Sequence, residues 1–205
     1  MKSFWDHAAA VYDIKDILNS RVVKGIERIT AENVPREGRV LDCAAGTGIL
    51  TLAAAPLAGS VLSTDTSGEM LKRAVNKARR RRLYNIRFAR RDICGLRDKS
   101  ESFDCAMAGN VIHLLPEPEK AVSELVRVTK KGGKILILTY VTGYSAFSRA
   151  AVRFYTLLGF DPKREFTPGE YEEFMRKMSW ELGCSDCRVI FVKGIFPASY
   201  AVITK

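Results

Sequence analysis

Two carboxylates and a nearly bare stretch of main chain are the residues here best suited to hold a ligand. In "RVLDCAAGTGILTL" (Arg39–Leu52), Ala44, Ala45, Gly46 and Gly48 surround Thr47 with almost no side chain. A strand, a glycine turn and a helix in that order form a nucleotide-type site: glycines admit the ligand to the backbone, and amides at the helix start offer donors. Asp42 ends the strand just before the turn, and Asp65 follows 19 residues after Gly46, at the end of the next strand. A carboxylate at that second place can accept hydrogen bonds from both hydroxyls of a ribose.

Two cofactor classes fit such a turn. A nicotinamide dinucleotide wants a third glycine three residues after the second, for close helix packing, and a turn that welcomes pyrophosphate. Thr51 occupies that third position. Asp42 would repel pyrophosphate but suits a cation. S-adenosylmethionine carries no phosphate and has a sulfonium and an ammonium group, so it matches this chemistry better.

The elements that must position these residues are legible as apolar runs. Val40–Ala44, Val61–Thr64, Ile86–Ala89, Phe103–Ala108 and Ile135–Tyr140 read as short strands, largely continuous in their apolar character, as in a parallel sheet covered on both faces. Helical patterns at about 50–57, 67–83 and 118–129 separate them, giving the rhythm of a doubly wound α/β fold. "TSGE" (Thr66–Glu69) predicts a capping box before a helix with Met70, Leu71, Ala74, Val75 and Ala78 on one face. "TPGE" (Thr167–Glu170) predicts another, with Tyr171, Phe174, Met175, Met178 and Leu182 inward and Gly183 as the stop. The final "CRVIFVKGIFPASYAVIT" is two strands joined too tightly for a crossover, so they must pair antiparallel. The expectation is a single domain over 1–205: a Rossmann-like, mostly parallel, seven-stranded sheet with a C-terminal antiparallel hairpin. It carries an N-terminal helical cap at about 1–34 and a helical lid insert at about 141–183.

Composition bounds the rest. An apolar fraction of 47% with 27% charged residues is ordinary for a globular protein. No apolar run is long enough to span a membrane, and "MKSFWDHAAAVYD" lacks the pattern of a signal peptide, so the expected location is the cytoplasm. Five scattered cysteines include one CxxC, Cys184 and Cys187, with no second pair or histidine set to complete a metal site. No metal is expected. The net charge of +10 is concentrated: between Lys72 and Lys99, twelve basic residues face only Asp92 and Asp98. Such a segment can draw nucleic acid or another anion, or it can be a solvated helix and a charged sheet edge.

The ordered set of motifs resembles the class I S-adenosylmethionine-dependent methyltransferases, and within them the ubiquinone/menaquinone-biosynthesis-like group. "VLDCAAGTG" is similar to that group's first motif, "STDTSGEMLKRA" to its second and "RRDI" (Arg90–Ile93) to its third. "FDCAMAGNVIHLLPEPEKAVSELVRVTKKGGKILIL" resembles the family's fourth strand, loop, helix and fifth strand. The resemblance implies S-adenosylmethionine as cofactor, with S-adenosylhomocysteine as product. It implies a site of Asp42, Ala44, Gly46 and Gly48 in the turn, Asp65 and Thr66 at the ribose, and Met70, Asp92 and Ile93 around the adenine. Asn110 would meet the cofactor through its backbone, and Tyr12 would lie near the methionine end. Plainer roles stand beside each: helix capping for Asp42, a turn for Asp65, a surface ion pair for Asp92, packing for Tyr12.

His113 follows the fourth strand, where parallel sheets present their ligand loops, and is the one candidate catalytic residue, as a general base; packing is its alternative role. The sulfonium is already activated, so the chain need only align an acceptor and exclude water. Ten of the nineteen aromatics fall in 140–183. Tyr144, Phe147, Phe154, Tyr155, Phe174 and Trp180 suggest a small apolar or aromatic acceptor, and packing is again the alternative. RNA methylation through the basic segment 72–99 is the runner-up function. A nicotinamide oxidoreductase and a non-catalytic cofactor-binding protein are the remaining readings.

Overall fold

A computed structural model describes residues 19–142 and 162–205. Tyr12, Tyr144, Phe147, Phe154 and Tyr155 lie outside the described residues, as do most of the N-terminal cap and the middle of the insert. The described chain runs α1 (Ser20–Asn33), β1 (Arg39–Cys43), α2 (Ile49–Ala54), β2 (Ser60–Asp65), α3 (Gly68–Arg80) and β3 (Ile86–Arg90). It continues through β4 (Phe103–Gly109), α4 (Pro118–Val128), β5 (Thr129–Tyr140), α5 (Pro168–Glu181), β6 (Asp186–Val192) and β7 (Ala198–Thr204). Short 3-10 turns, Ile93–Gly95 and Ile112–Leu114, flank β4.

The seven strands form one sheet in the order β3-β2-β1-β4-β5-β7-β6. The first five are parallel, and β7 runs antiparallel to both β5 and β6. Chain order reverses beside β1, which pairs with β2 on one side and β4 on the other. A crevice opens outside the carboxyl ends of strands at such a switch point.

Continuous apolar strands form because both faces are covered. Val40, Met107, Leu136 and Tyr200 pack under α1 and α2, while Leu41, Ala106, Ile137 and Ala201 pack under α4 and α5. Each such Leu or Ile contributes roughly 1.5–3 kcal/mol on burial. Helix α1, within the expected cap, is an integral layer: it buries Val22, Ile26 and Ile29, and its Thr30 hydroxyl meets the Tyr200 hydroxyl at 2.9 Å.

Two helix starts differ from each other in outcome. At α5 the capping box is complete, with Thr167 and Glu170 bonded reciprocally and Pro168 opening the helix. At α3 the cap is Ser67, one residue later than expected, and its hydroxyl accepts from the Met70 amide at 3.2 Å. The cause is Asp65, whose Oδ1 accepts the Ser67 amide at 2.8 Å and fixes the turn there. Strand β5 also begins earlier than its apolar run, at Thr129 beside Phe103. Its glycine-rich start is held instead by main-chain bonds between Gly132, Gly133 and Lys205 at the end of the chain.

Candidate active site

The crevice beyond β1, β2 and β4 gathers seven of the expected cofactor residues: Asp42, Ala44, Gly46, Asp65, Thr66, Met70 and Asn110. Val111 and Leu114 add an apolar wall on the β4 side. Ala44, Gly46 and Gly48 all take positive φ (51°, 55° and 94°), which curls the turn tightly. The conformation is strained for Ala44, at about 1–2 kcal/mol, and free for the glycines. A Cβ added at Gly46 would meet nothing within 4 Å and would project into the crevice. One added at Gly48 would press Ala74 of α3 at 3.2 Å. Gly46 therefore keeps the cleft open, whereas Gly48 lets the turn pack on α3.

Asp65 holds the turn in place. Its Oδ2 accepts the Gly46 amide at 2.8 Å while Oδ1 accepts that of Ser67, so one carboxylate ties the glycine turn to the start of α3. Lys77 of α3 adds a second tie, donating to the Thr47 hydroxyl at 2.9 Å.

Asp42 is fully buried under the turn. The Thr51 hydroxyl donates to its Oδ2 at 2.5 Å and lies 2.9 Å from the Ser63 hydroxyl. Its Oδ1 has no hydrogen-bond partner among the described residues. Burial raises its pKa to about 7; the Thr51 hydrogen bonds oppose the shift and the nearby Asp65 charge adds to it. A buried, half-satisfied carboxylate beside an open crevice suits a cationic ligand, since a positive charge would supply the missing partner.

Four expected cofactor or catalytic residues do not line this crevice. Gly48 faces α3, as described. Asp92 is exposed and caps the short turn after β3, accepting from the Cys94 amide at 2.9 Å. Ile93 is buried in the core under α4. His113 stands one residue before Leu114 of the crevice wall, and its Nδ1 meets the Thr139 hydroxyl at 2.8 Å. Phe174 packs in the core against Phe166 with ring centroids 5.5 Å apart, and Trp180 is 85% exposed on the outer face of α5. Neither reaches the crevice, because α5 turns its apolar stripe to the sheet.

Comparison with known proteins gives a consistent assignment. A family model described as "Methyltransferase domain" matches residues 41–137. The chain is 35% identical over 156 residues to a phosphatidylethanolamine N-methyltransferase of Cereibacter sphaeroides, an alignment covering 73% of this chain and 75% of that protein. The chain belongs to the class I S-adenosylmethionine-dependent methyltransferases. It is also 38% identical over 104 residues to the ubiquinone/menaquinone biosynthesis C-methyltransferase UbiE of Bdellovibrio bacteriovorus, covering 50% of this chain and 44% of that protein. The chain thus spans three quarters of the first relative's length and under half of the second's. Among solved structures, a Thermotoga maritima S-adenosylmethionine-dependent methyltransferase, a possible histamine N-methyltransferase, superposes with a TM-score of 0.73 at 18% identity. That match covers 98% of this chain and 99% of the other.

The family's cofactor fits what this methyltransferase presents. Gly46 leaves room where a Cβ would intrude, Asp65 is a buried acceptor, and the orphaned Oδ1 of Asp42 awaits a cation. Thr51 and Ser63, which secure Asp42, were not among the expected site residues. Their signal was available: polar side chains inside otherwise apolar runs, at positions that face the strand carrying Asp42.

The methyltransferase holds the loop after β4 from three directions. The Asn110 side chain accepts from the Tyr140 amide at 2.9 Å, and Thr139 meets His113. The Lys163 and Arg164 amides both donate to the His113 carbonyl, at 3.0 and 3.1 Å. The residues leading into α5 are therefore fastened to the loop after β4. No helix among the described residues is long and apolar enough to cross a membrane.

Proposed function

We propose that this methyltransferase moves the methyl group of S-adenosylmethionine to a small acceptor with an apolar or aromatic body, by in-line displacement. The observation that carries the reading is the crevice itself, polar on the Asp42–Asp65 side and apolar along Val111 and Leu114. The substrates in the relatives' names, phosphatidylethanolamine and the quinones, are apolar-bodied molecules and support the same class.

Bound S-adenosylmethionine supplies an activated methyl on a sulfonium. The chain's own residues then bind and orient. Asp65 would accept from the ribose hydroxyls, Met70 and Thr66 would flank the adenosine, and Asp42 would face the ammonium. Val111 and Leu114 would exclude water from the acceptor, so that alignment rather than a nucleophilic side chain supplies the rate. Thr139 also directs its hydroxyl toward the Tyr140 carbonyl at 3.4 Å, which favours Nδ1–H of His113 as the donor to Thr139. That tautomer leaves Nε2 as the basic nitrogen, suited to take a proton from an amine or hydroxyl acceptor.

The test is methyl transfer from labelled cofactor into two fractions, total lipids with quinones and total tRNA, followed by mass spectrometry of the labelled product. Label in an apolar small molecule is expected. Label confined to RNA would replace this reading with the runner-up. Asp92 and Tyr12 remain candidates of the sequence for the adenine and methionine ends, and substituting each while measuring cofactor affinity tests them.

A further inference from the structure

The most basic part of the chain surrounds the outermost strand. Among the described residues strand β3 ends the sheet on one side, and none of its five residues is buried. The Asn85 carbonyl accepts from Val61, and the Arg91 amide donates to Asp65, so odd-numbered residues turn their backbone toward β2. Ile86, Phe88 and Arg90 consequently direct their N–H and C=O groups away from the sheet. Alongside runs an open groove of about 550 Å³ between β3 and α3, with Leu71, Val75 and Phe88 at its floor and Lys72, Arg79 and Arg90 on its rim.

We propose that this edge docks an extended acidic segment of a partner protein, which adds as an eighth strand beside β3. The outward amides and carbonyls of Ile86, Phe88 and Arg90 supply main-chain bonds, as in strand addition generally. The groove takes an apolar side chain, and Arg87, on the opposite face of β3, meets the carboxylates that alternate with it. A second copy of this chain is a poor occupant, because each copy brings the same concentrated positive charge to the edge. Nucleic acid and anionic membrane would use the charge but leave the strand's outward backbone without partners.

The test uses the full chain and a fluorescent peptide of about ten residues, alternating Glu with Val and Thr, the length of a long strand. Anisotropy gives its affinity, and residue-resolved amide exchange gives its mode. Binding is expected to slow exchange at Ile86, Phe88 and Arg90 selectively, and to weaken at least about tenfold in Arg87→Glu. That variant should keep the thermal shift produced by adenosylhomocysteine, showing that fold and cofactor site are intact. Failure of the peptide to bind, equal binding of its Gln-for-Glu version, or binding that leaves the three amides unprotected overturns the proposal. So does tighter binding of single-stranded RNA or of phosphatidylglycerol vesicles.

Discussion

The Asp65 carboxylate accepts the Gly46 amide at 2.8 Å across 19 residues of chain. One side chain thus both shapes the glycine turn and lines the crevice, where the proposed function has it meet the ribose. Asp65→Ala is expected to weaken adenosylhomocysteine binding by about ten- to a hundredfold, the range for hydrogen bonds to a charged group. Isothermal titration calorimetry measures it, and unchanged affinity would remove Asp65 from the site.

Asp42 is expected to make cofactor binding depend on pH. Its folded pKa of about 7 lies above the ordinary carboxylate value of 3.8, so ionising it costs the apoprotein stability. That contribution is fully present below about pH 4 and is lost as pH rises through 7. A cationic ligand favours the ionised form. Affinity for adenosylhomocysteine should therefore rise with pH and level off above 7, being about tenfold lower at pH 6 than on the plateau. Asp42→Asn should flatten that profile.

Thr51 tests the support beneath Asp42. Thr51→Val leaves a fully buried carboxylate without its donor, at a cost of about 1–3 kcal/mol. A fall in Tm of several degrees is expected by calorimetry, with Thr51→Ser recovering most of it.

The two glycines of the turn should separate binding from folding. Gly46→Ala places a methyl in the crevice at a φ of 55°, so cofactor affinity should fall while Tm drops only by the backbone strain of about 1–2 kcal/mol. Gly48→Ala combines a φ of 94° with a 3.2 Å contact on Ala74, so Tm should fall first. Parallel thermal shift curves with and without adenosylhomocysteine distinguish the two.

Much of this architecture was legible because burial writes itself into strands. The runs around Val40, Phe103 and Ile135 are largely apolar on successive residues, as a doubly covered sheet favours, and the tight C-terminal turn forced β6 and β7 antiparallel. Asp42 and Asp65 were readable from their places at strand ends. The start of β5 was not, because Lys130–Gly133 carry no apolar pattern and the glycine backbone there is bonded to Lys205, distant in sequence. The cap of α3 slipped by one residue for a similar reason: a tertiary acceptor, Asp65, outcompeted the local Thr66 box. Phe174 takes the packing role that stood as its alternative and Trp180 faces outward, because aromatic content alone does not tell a helix's inward side from its outward one.

The fastening of Lys163 and Arg164 to the His113 carbonyl has a practical corollary. Together with Thr142, whose amide bonds the Phe166 carbonyl at 2.8 Å, these bonds close a collar at both roots of the intervening stretch 143–161. A chimera that exchanges the sequence between Thr142 and Pro162 for that of a relative is therefore expected to keep these bonds and the thermal shift given by adenosylhomocysteine, which makes the two roots natural cut points for swapping specificities.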